Sequence, residues 1–580
     1  MSGYTAPHCG ALRATDTGKE VELYGWVARR RDHGGVTFVD LRDRWGAVQV
    51  VLRKLTDPPD LRLEYVVRVR GVVSMRPAGS ENPRLPTGEV EVVADELEVL
   101  STSETPPFPI EDTEEADEKT RLAYRYLDLR RPRMTRMLEL RSRVNKIIRD
   151  YMDAREFLEV ETPILTRSSP SGARDFLVPS RLHPGEFYAL PQAPQMLKQL
   201  LMVSGVQRYY QIARCFRDEN LRADRQPEFT QLDVEMSFCD EEDVFRLVEG
   251  LFAKLWQEIL GVSVETPFPR LDIKESYLRY GTDKPDLRYG LEIADLGPAL
   301  GATRVEVFRK VLAAGGVVRG LAVPGGKDMA RRELDELVTV ARGAGGQGLA
   351  WTPGGPLDKF LGEDESREIA RLTGAEPSDL VLIVADRRRK AETVTGLIRQ
   401  EVARRRKLVR EGEWKFLWIN PTYLFEEDDQ GKLTYAHHPF TRPFPEDMSF
   451  VQERPYDVRA HAYDIVCNGY ELGGGSLRIY DPQMQERVFQ LLGMPLETIR
   501  ARFGTLLEAF TYGVPPHGGI APGIDRVVMM LGGTDNIRDV IAFPKTQSMS
   551  DLMLGAPSEV DPSQLEELHM KVVPPKKNGS

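Results

Sequence analysis

Between residues 20 and 100 apolar and polar positions alternate in five runs: EVELYGWVARR, GVTFVDLRDR, AVQVVL, EYVVRVRGVV and GEVEVVADELEVL. A period of two predicts short strands with one buried face. Gly34–Gly35, Gly46, Gly79 and Gly88 punctuate the runs. Five such strands in about 80 residues predict a small β-barrel. The pattern then stops: STSETPPFPIEDTEEADEKT (101–120) is rich in proline and acid and predicts an exposed linker. Across 134–157 the apolar positions Met137, Leu140, Val144, Ile147, Ile148 and Tyr151 fall three and four apart, the stripe of an amphipathic helix. FLEVETPILT follows as a strand with Pro163 at an irregular position, and QMLKQLLMVSG as a helix that Pro194 opens and Gly205 ends.

From about 290 to 410 the character changes. Glycine pairs recur, and the apolar strand DLVLIVAD runs into the basic helix RRRKAETVTGLIRQEVARRRKL. This predicts a separate α/β insertion. After 413 strands return in WKFLWINPTYLF and AHAYDIVCNGYELGGGSLRIY; Asp481–Pro482 caps a helix, and GGIAPGIDRVVMMLGG is a glycine-rich turn feeding an apolar helix. The segments predicted are a barrel (1–104), a linker (105–135), a core in two parts (136–289 and 413–555) around the insertion (290–412), and a C-terminal extension (556–580). The fold class is α+β.

The 580 residues are 41% hydrophobic and 29% charged, as in soluble globular chains, and no apolar run approaches a membrane span. The N-terminus lacks a basic stretch followed by an apolar one, and Cys9, Cys215, Cys239 and Cys467 are scattered without a CxxC pair. A reducing, cytoplasmic setting is expected. The net charge of −11 argues against a surface that binds nucleic acid throughout, while leaving room for the local basic patches ARRRDHGG (28–35) and YRYLDLRRPRMTR (124–136).

Chemistry concentrates in FRDENLRADRQPEFTQLD (216–233), where Arg217, Arg222 and Arg225 alternate with Asp218, Glu219, Asp224, Glu228 and Asp233 beside Phe216 and Phe229. Arginines pair with phosphate oxygens, acids hold Mg²⁺ or polar groups, and an aromatic ring stacks on a base, so a nucleoside triphosphate is one economical ligand. A hairpin of surface ion pairs is the plainer alternative. No GxxxxGK[ST] loop is present, and GYELGGGS has the wrong spacing for a dinucleotide fingerprint. Arg526 stands just inside a helix start, where an anion is favoured. Asp464 and Glu471 are an odd number of residues apart, so an unbroken strand points them to opposite faces; sharing a cation requires a bulge or bend. Gln195 and Lys198 share a helix face and, with Arg478, could grip a small acid. His437–His438 lacks a third ligand for zinc, and a loop over a pocket is an equal reading.

Three segments together resemble the signature motifs of the class II aminoacyl-tRNA synthetases: the long helix and strand ending at Pro163, FRDENLRADRQPEFTQLD, and APGIDRVVMML. The forms RADRQPEFTQLD, ALPQAPQMLKQLL and GYELGGGSLRIY resemble the bacterial aspartyl branch, and the likeness spans about residues 1–555, insertion included. The resemblance implies an antiparallel catalytic sheet with helices, an N-terminal OB-fold barrel that binds the anticodon of tRNA(Asp), and a homodimer. It implies ATP and L-aspartate as substrates with Mg²⁺. By motif, Arg217 and Arg526 are the catalytic cations on the α- and γ-phosphates. Phe229 stacks on adenine, with Asp218, Glu219, Gln226, Glu471, Gly523, Ile524 and Asp525 also at ATP. Asp464 and Glu471 hold Mg²⁺. Lys198 and Arg478 take the substrate side-chain carboxylate; Gln195 and Asp233 its amino end; Arg217 completes the pocket, and His437 or His438 closes over the amino acid on a mobile loop. Asparagine would leave the two cations unpaired, at several kcal/mol. Arg31, Phe38 and Gln49 match anticodon positions. Ser171 departs from the glutamate common in relatives. His33 lies where family variation is linked to charging tRNA(Asn) as well, a choice left open. Asparaginyl- and lysyl-type relatives share the architecture.

Overall fold

The computed structural model describes residues 6–55, 59–113, 116–168, 174–221, 223–355, 357–428 and 431–573, so Ser171, Arg222 and the last seven residues of the extension lie outside the described residues. The chain divides into two compact units: Met1–Asn145 with Asn220–Pro227 and Val528–Ser580, and Lys146–Glu219 with Glu228–Val527.

In the first unit the five alternating runs form β1 (Glu20–His33), β2 (Val36–Asp43), β3 (Gly46–Val51), β4 (Val66–Met75) and β5 (Val90–Ser101), closed into a barrel in the order β1-β2-β3-β5-β4. Closure removes the sheet edges. Leu23, Val27, Val39, Leu41, Val48, Val50, Val67 and Val69 fill the interior. Alternation leaves Phe38 and Asp40 on the outer face of β2. The amphipathic stripe forms helix α1 (Pro132–Asp153), in the first unit as far as Asn145 and in the second from Lys146, with Val144, Ile147, Ile148 and Tyr151 buried.

The second unit is built on one sheet. In chain order come β6 (Leu158–Glu159), α2 (Gln195–Val203), β7 (Arg208–Phe216), β8 (Glu228–Ser237), α3 (Glu241–Leu260), β9 (Arg270–Leu271) and α4 (Ile273–Tyr280). The insertion supplies β10 (Ile293–Asp295), β11 (Val317–Val323), β12 (Ala350–Thr352), β13 (Leu380–Asp386) and α5 (Arg388–Arg405). The core resumes with β14 (Phe416–Ile419), β15 (Ala462–Cys467), β16 (Tyr470–Leu477), α6 (Pro482–Leu491), β17 (His517–Pro522) and α7 (Ile524–Leu531). The sheet order is β9-β14-β15-β16-β17-β8-β7-β6; its six central strands are antiparallel, with a two-residue parallel partner at each edge. Of FLEVETPILT Leu158–Glu159 joins the sheet and Thr166 forms an isolated bridge with Ala189; Pro163, between them, cannot donate to a ladder. α3 covers one face: Asp240 accepts from the Asp243 N–H as its N-cap, Gly261 ends it at φ +70°, and its Phe245 stacks on Trp418 of β14 at 4.3 Å.

The insertion has its own antiparallel sheet, β10-β11-β13-β12, with apolar clusters on both faces. Among the described residues no helix is long and apolar enough to cross a membrane.

Candidate active site

Asp233 and Glu235 are two apart on β8 and therefore point to one face, where both are fully buried. Lys198 reaches them from α2, its Nζ 2.6 Å from Asp233 Oδ1 and 3.2 Å from Glu235 Oε2. Arg478, one residue beyond β16, donates through Nε and Nη2 to Glu235 at 2.9 and 3.0 Å. Its Nη1 donates to Ser476 Oγ at 2.7 Å and to His438 Nε2 at 2.5 Å. Among the described residues four of the five guanidinium N–H groups are thus engaged, and one on Nη2 is left. Gln195 Nε2 donates to Gln199 Oε1 at 3.2 Å, one turn along α2.

This geometry corrects one expectation. Lys198 and Arg478 are not bare cations awaiting a carboxylate, since Glu235 already bridges them. The sequence reading passed over Glu235, although its i+2 spacing from Asp233 on a strand was a usable signal. Burial raises the Glu235 carboxyl, but Arg478 and then Lys198 override that and hold it at about 2. Asp233 is raised by burial, with Lys198 opposing.

An arginine only donates, so His438 Nε2 accepts from Nη1; its Nδ1 faces the Phe440 N–H, which donates to it at 3.3 Å, and Thr441 Oγ1 at 3.3 Å. Burial, then Arg478, holds His438 well below its ordinary range. The next carbonyl, Pro439, accepts from Gln485 of α6 at 2.7 Å. His437 turns the other way, its Nδ1 3.8 Å from Asp464 Oδ1, and is also lowered by burial. Neutral buried histidines and an ionised Glu235 bind fewer protons than the unfolded chain does in acid. Their contribution to stability is full above about pH 6.5 and is lost as the pH falls. Asp233 and Asp464, both raised by burial, act in the opposite sense, so Asp464→Asn, which removes one of them, is expected to give a Tm that falls more steeply from pH 7 to pH 4 than the wild-type Tm; equal slopes would contradict these charge states.

The bulge that Asp464 and Glu471 require is present. Asp464 pairs with Gly474 and Ile465 with Gly473, but Val466 pairs with Glu471, so Leu472 is the extra residue. Glu471 thereby shares a face with Val466 and Asp464. Burial and then Glu471 raise the Asp464 carboxyl well above its usual range, the condition a cation would relieve. A Cβ on Gly474 would stand 2.5 Å from Asp464 Oδ1, so glycine leaves that carboxylate its space. Among the described residues no group of three or more His, Cys, Asp or Glu forms a metal cage. Two carboxylates suit Mg²⁺, which takes its remaining oxygens from phosphates and water.

Beside these acids, Arg526 on α7 donates through Nη1 to Glu471 O at 2.7 Å, and Gly523 N–H donates to Leu472 O at 2.7 Å. Asp525 Oδ2 accepts from Thr230 N–H at 2.7 Å, and Ile524 is buried. These bonds join the start of α7 to β8 and β16. Half-buried Arg217 directly follows β7, with its guanidinium 5.0 Å from the Phe229 ring centroid. Asp218 pairs with Arg174 at 3.6 Å, and Glu219 is half-buried beside it in sequence.

Gln226 belongs to the first unit, where it is buried and exchanges hydrogen bonds with the main chain of Lys545 at 3.1 and 2.8 Å. In the barrel Arg31 Nη2 donates to Asp40 Oδ1 at 2.9 Å and to Gln49 Oε1 at 3.4 Å, and Gln49 Nε2 donates to Glu91 Oε2 at 2.9 Å. Phe38 pairs with Arg31 across β1 and β2, half-buried beside this polar row. Asp40 and Glu91 escaped the sequence reading. His33 is exposed at the end of β1.

A family model described as "tRNA synthetases class II (D, K and N)" matches residues 117–547, and one for an "OB-fold nucleic acid binding domain" matches 21–100. A protein of Moorella thermoacetica named aspartate–tRNA(Asp/Asn) ligase is 54% identical, covering 98% of this chain and 97% of the relative. One of the same name from Syntrophomonas wolfei is 52% identical over 96% and 97%. Among solved structures, the asparaginyl-tRNA synthetase of Pyrococcus horikoshii complexed with asparaginyl-adenylate covers 93% of this chain and 98% of its own at a TM-score of 0.58. At 20% identity it speaks for the fold alone. By the family model and by identity across nearly its whole length, the chain belongs to the class II tRNA synthetases and, within them, to the aspartate–tRNA ligases.

Proposed function

We propose that the chain activates L-aspartate with ATP and transfers it to the 3′-terminal ribose of both tRNA(Asp) and tRNA(Asn). The observation that carries the first step is the buried Lys198–Glu235–Arg478 set, with the Asp464–Glu471 pair on the adjoining strands of the same sheet. The substrate side-chain carboxylate takes the free Nη2–H of Arg478 and the ammonium of Lys198. Its α-amino group takes Asp233 and Gln195. His438 holds the guanidinium plane. The substrate α-carboxylate oxygen then attacks the α-phosphorus of ATP, the bond to the bridging oxygen breaks, and pyrophosphate leaves. No protein nucleophile is needed. Arg217 and Arg526 neutralise charge that builds on the phosphates, and Phe229 stacks on adenine. Mg²⁺, when bound by Asp464 and Glu471, supplies Lewis-acid charge to the phosphate oxygens. A ribose hydroxyl of the tRNA next takes the aspartyl group and AMP leaves.

The dual tRNA choice rests on the relatives, which carry the Asp/Asn name. Aminoacylation of each tRNA with labelled aspartate tests it: both are expected to be charged, and charging of tRNA(Asp) alone would contradict it. A homodimer and a cytoplasmic location complete the reading. The barrel face of Arg31, Phe38 and Gln49 takes the anticodon, Phe38 by stacking. Phe38→Ala is expected to raise the KM for tRNA by about 5- to 100-fold, the worth of one stacked base, with adenylate formation unchanged. An unchanged KM would remove Phe38 from the anticodon site.

A further inference from the structure

Arg399 lies on α5 of the insertion with none of its surface exposed, and its hydrogen bonds go to main-chain oxygens, not to a carboxylate. Nε donates to Leu291 O at 2.9 Å, and Nη2 is shared among Asp286 O, Tyr289 O and Gly290 O at 2.9, 3.1 and 3.0 Å. Its guanidinium lies 4.9 and 4.3 Å from the rings of Tyr280 and Tyr289. A buried cation without an ion pair is expensive. What it secures is one segment, 286–291, which ends in Leu291 at φ +62°, a conformation that a non-glycine residue keeps only when its surroundings impose it.

The same helix also touches the chain a few residues before that segment. Gly281, at φ +69°, ends α4, and a Cβ on it would stand 2.2 Å from Glu392 O and 2.7 Å from Gly396 Cα. A Cβ on Gly396 would stand 2.5 Å from Gly281 O. Two glycines thus allow α5 and the end of α4 to meet backbone to backbone. Arg389, one turn before Glu392, lies 3.2 Å over the Tyr277 ring. The loop 281–291 is gripped at both ends by one helix of the insertion.

The far side of this loop meets the turn that joins β15 to β16. Gly469, at φ +85°, leaves room such that its Cβ would stand 3.4 Å from Asp286 Cβ and 3.9 Å from Lys284 O. That turn connects the strands bearing Asp464 and Glu471. Lys284 and Asp283, within the loop, both act electrostatically on Asp464, and Asp283 acts on His437.

We propose that Arg399 is a positioning residue for the ATP·Mg²⁺ end of the active site, acting through loop 281–291 and the β15–β16 turn. The insertion thereby holds Lys284 and the two-acid hairpin in register. The inference rests on the reading of Asp464 and Glu471 as the cation site.

Two readouts test it on the full chain: hydrogen exchange of the amides in 283–291 and 468–470, and ATP binding by calorimetry across a Mg²⁺ titration without aspartate. Arg399→Met keeps the length and apolar stem but no donor. It is expected to speed exchange in both segments by about tenfold or more, and to raise the half-saturating Mg²⁺ by about tenfold, the scale of a lost outer-layer ligand contact. The KM for aspartate should stay within about twofold, and Arg399→Lys should recover part of each effect. Faster exchange confined to 283–291, with Mg²⁺ dependence unchanged, would make Arg399 a local carbonyl cap and overturn the proposal. Should Arg399→Met fail to fold, Lys284→Met, at a half-exposed position, carries the test: an unshifted Mg²⁺ midpoint overturns the proposal and a shift of several-fold supports it. If wild-type ATP binding shows no Mg²⁺ dependence, the cation-site reading falls. Hydrogen exchange at 468–470 in Arg399→Met then decides the link: faster exchange there supports it and unchanged exchange overturns it.

Discussion

Arg478→Ala is expected to lower kcat/KM for aspartate in ATP–pyrophosphate exchange by about 10²- to 10⁴-fold, the 3–5 kcal/mol that follows removal of one partner from a buried ion pair. The Kd for ATP should change little. The loss has two physical parts. Arg478 offers its free Nη2–H to the substrate carboxylate, and it also neutralises Glu235, which is fully buried and ionised. Without the guanidinium, Glu235 faces the incoming carboxylate directly, and repulsion adds to the missing hydrogen bond. The variant should therefore also be less stable, with Lys198 as the remaining cation 3.2 Å from Glu235. Arg478→Ala with Glu235→Gln removes the repulsion but not the lost donor, so it should regain stability more than aspartate affinity. Equal losses of aspartate activation and ATP binding in Arg478→Ala would take Arg478 out of the amino-acid pocket.

Arg217→Ala is expected to act on the chemical step: kcat for exchange down about 10²- to 10³-fold, the range for one preorganised donor to transition-state charge. Its surroundings differ from those of Arg478. Arg217 is half-buried just past the end of β7 and lies against the Phe229 ring, so its removal exposes no buried acid. Stability should stay within about 0.5 kcal/mol, as at ordinary surface positions. Because the guanidinium covers one side of Phe229, a modest rise in the KM for ATP should accompany the fall in kcat. A large fall in Tm with kcat preserved would reverse the assignment. The pair of variants thus separates affinity for the acid from stabilisation of the phosphate.

Much of this was legible in the sequence because it follows local rules. The barrel strands follow from period-two alternation, α1 from a stripe at three and four, and the start of α6 from Asp481–Pro482, where Asp481 accepts from the Gln483 N–H. The Asp464–Glu471 spacing even specified the defect it needed, and the bulge at Leu472 supplies it. What escaped depends on contacts between distant segments. Glu235 reads as one more strand residue until Lys198 and Arg478, from two other elements, converge on it. Arg399 reads as part of a basic helix, although its partners are main-chain oxygens more than a hundred residues earlier. The turn glycines announced themselves, but only packing shows that Gly281 and Gly396 exist for each other. His437 and His438 looked equivalent in sequence; the structure turns one toward Asp464 and the other toward Arg478.

The most direct test of the central claim is ATP–pyrophosphate exchange by the purified chain with aspartate, asparagine and lysine supplied separately, without tRNA. The account predicts exchange with aspartate alone. Exchange with asparagine or lysine instead would contradict the assignment of Lys198, Glu235 and Arg478 as the pocket for a substrate carboxylate.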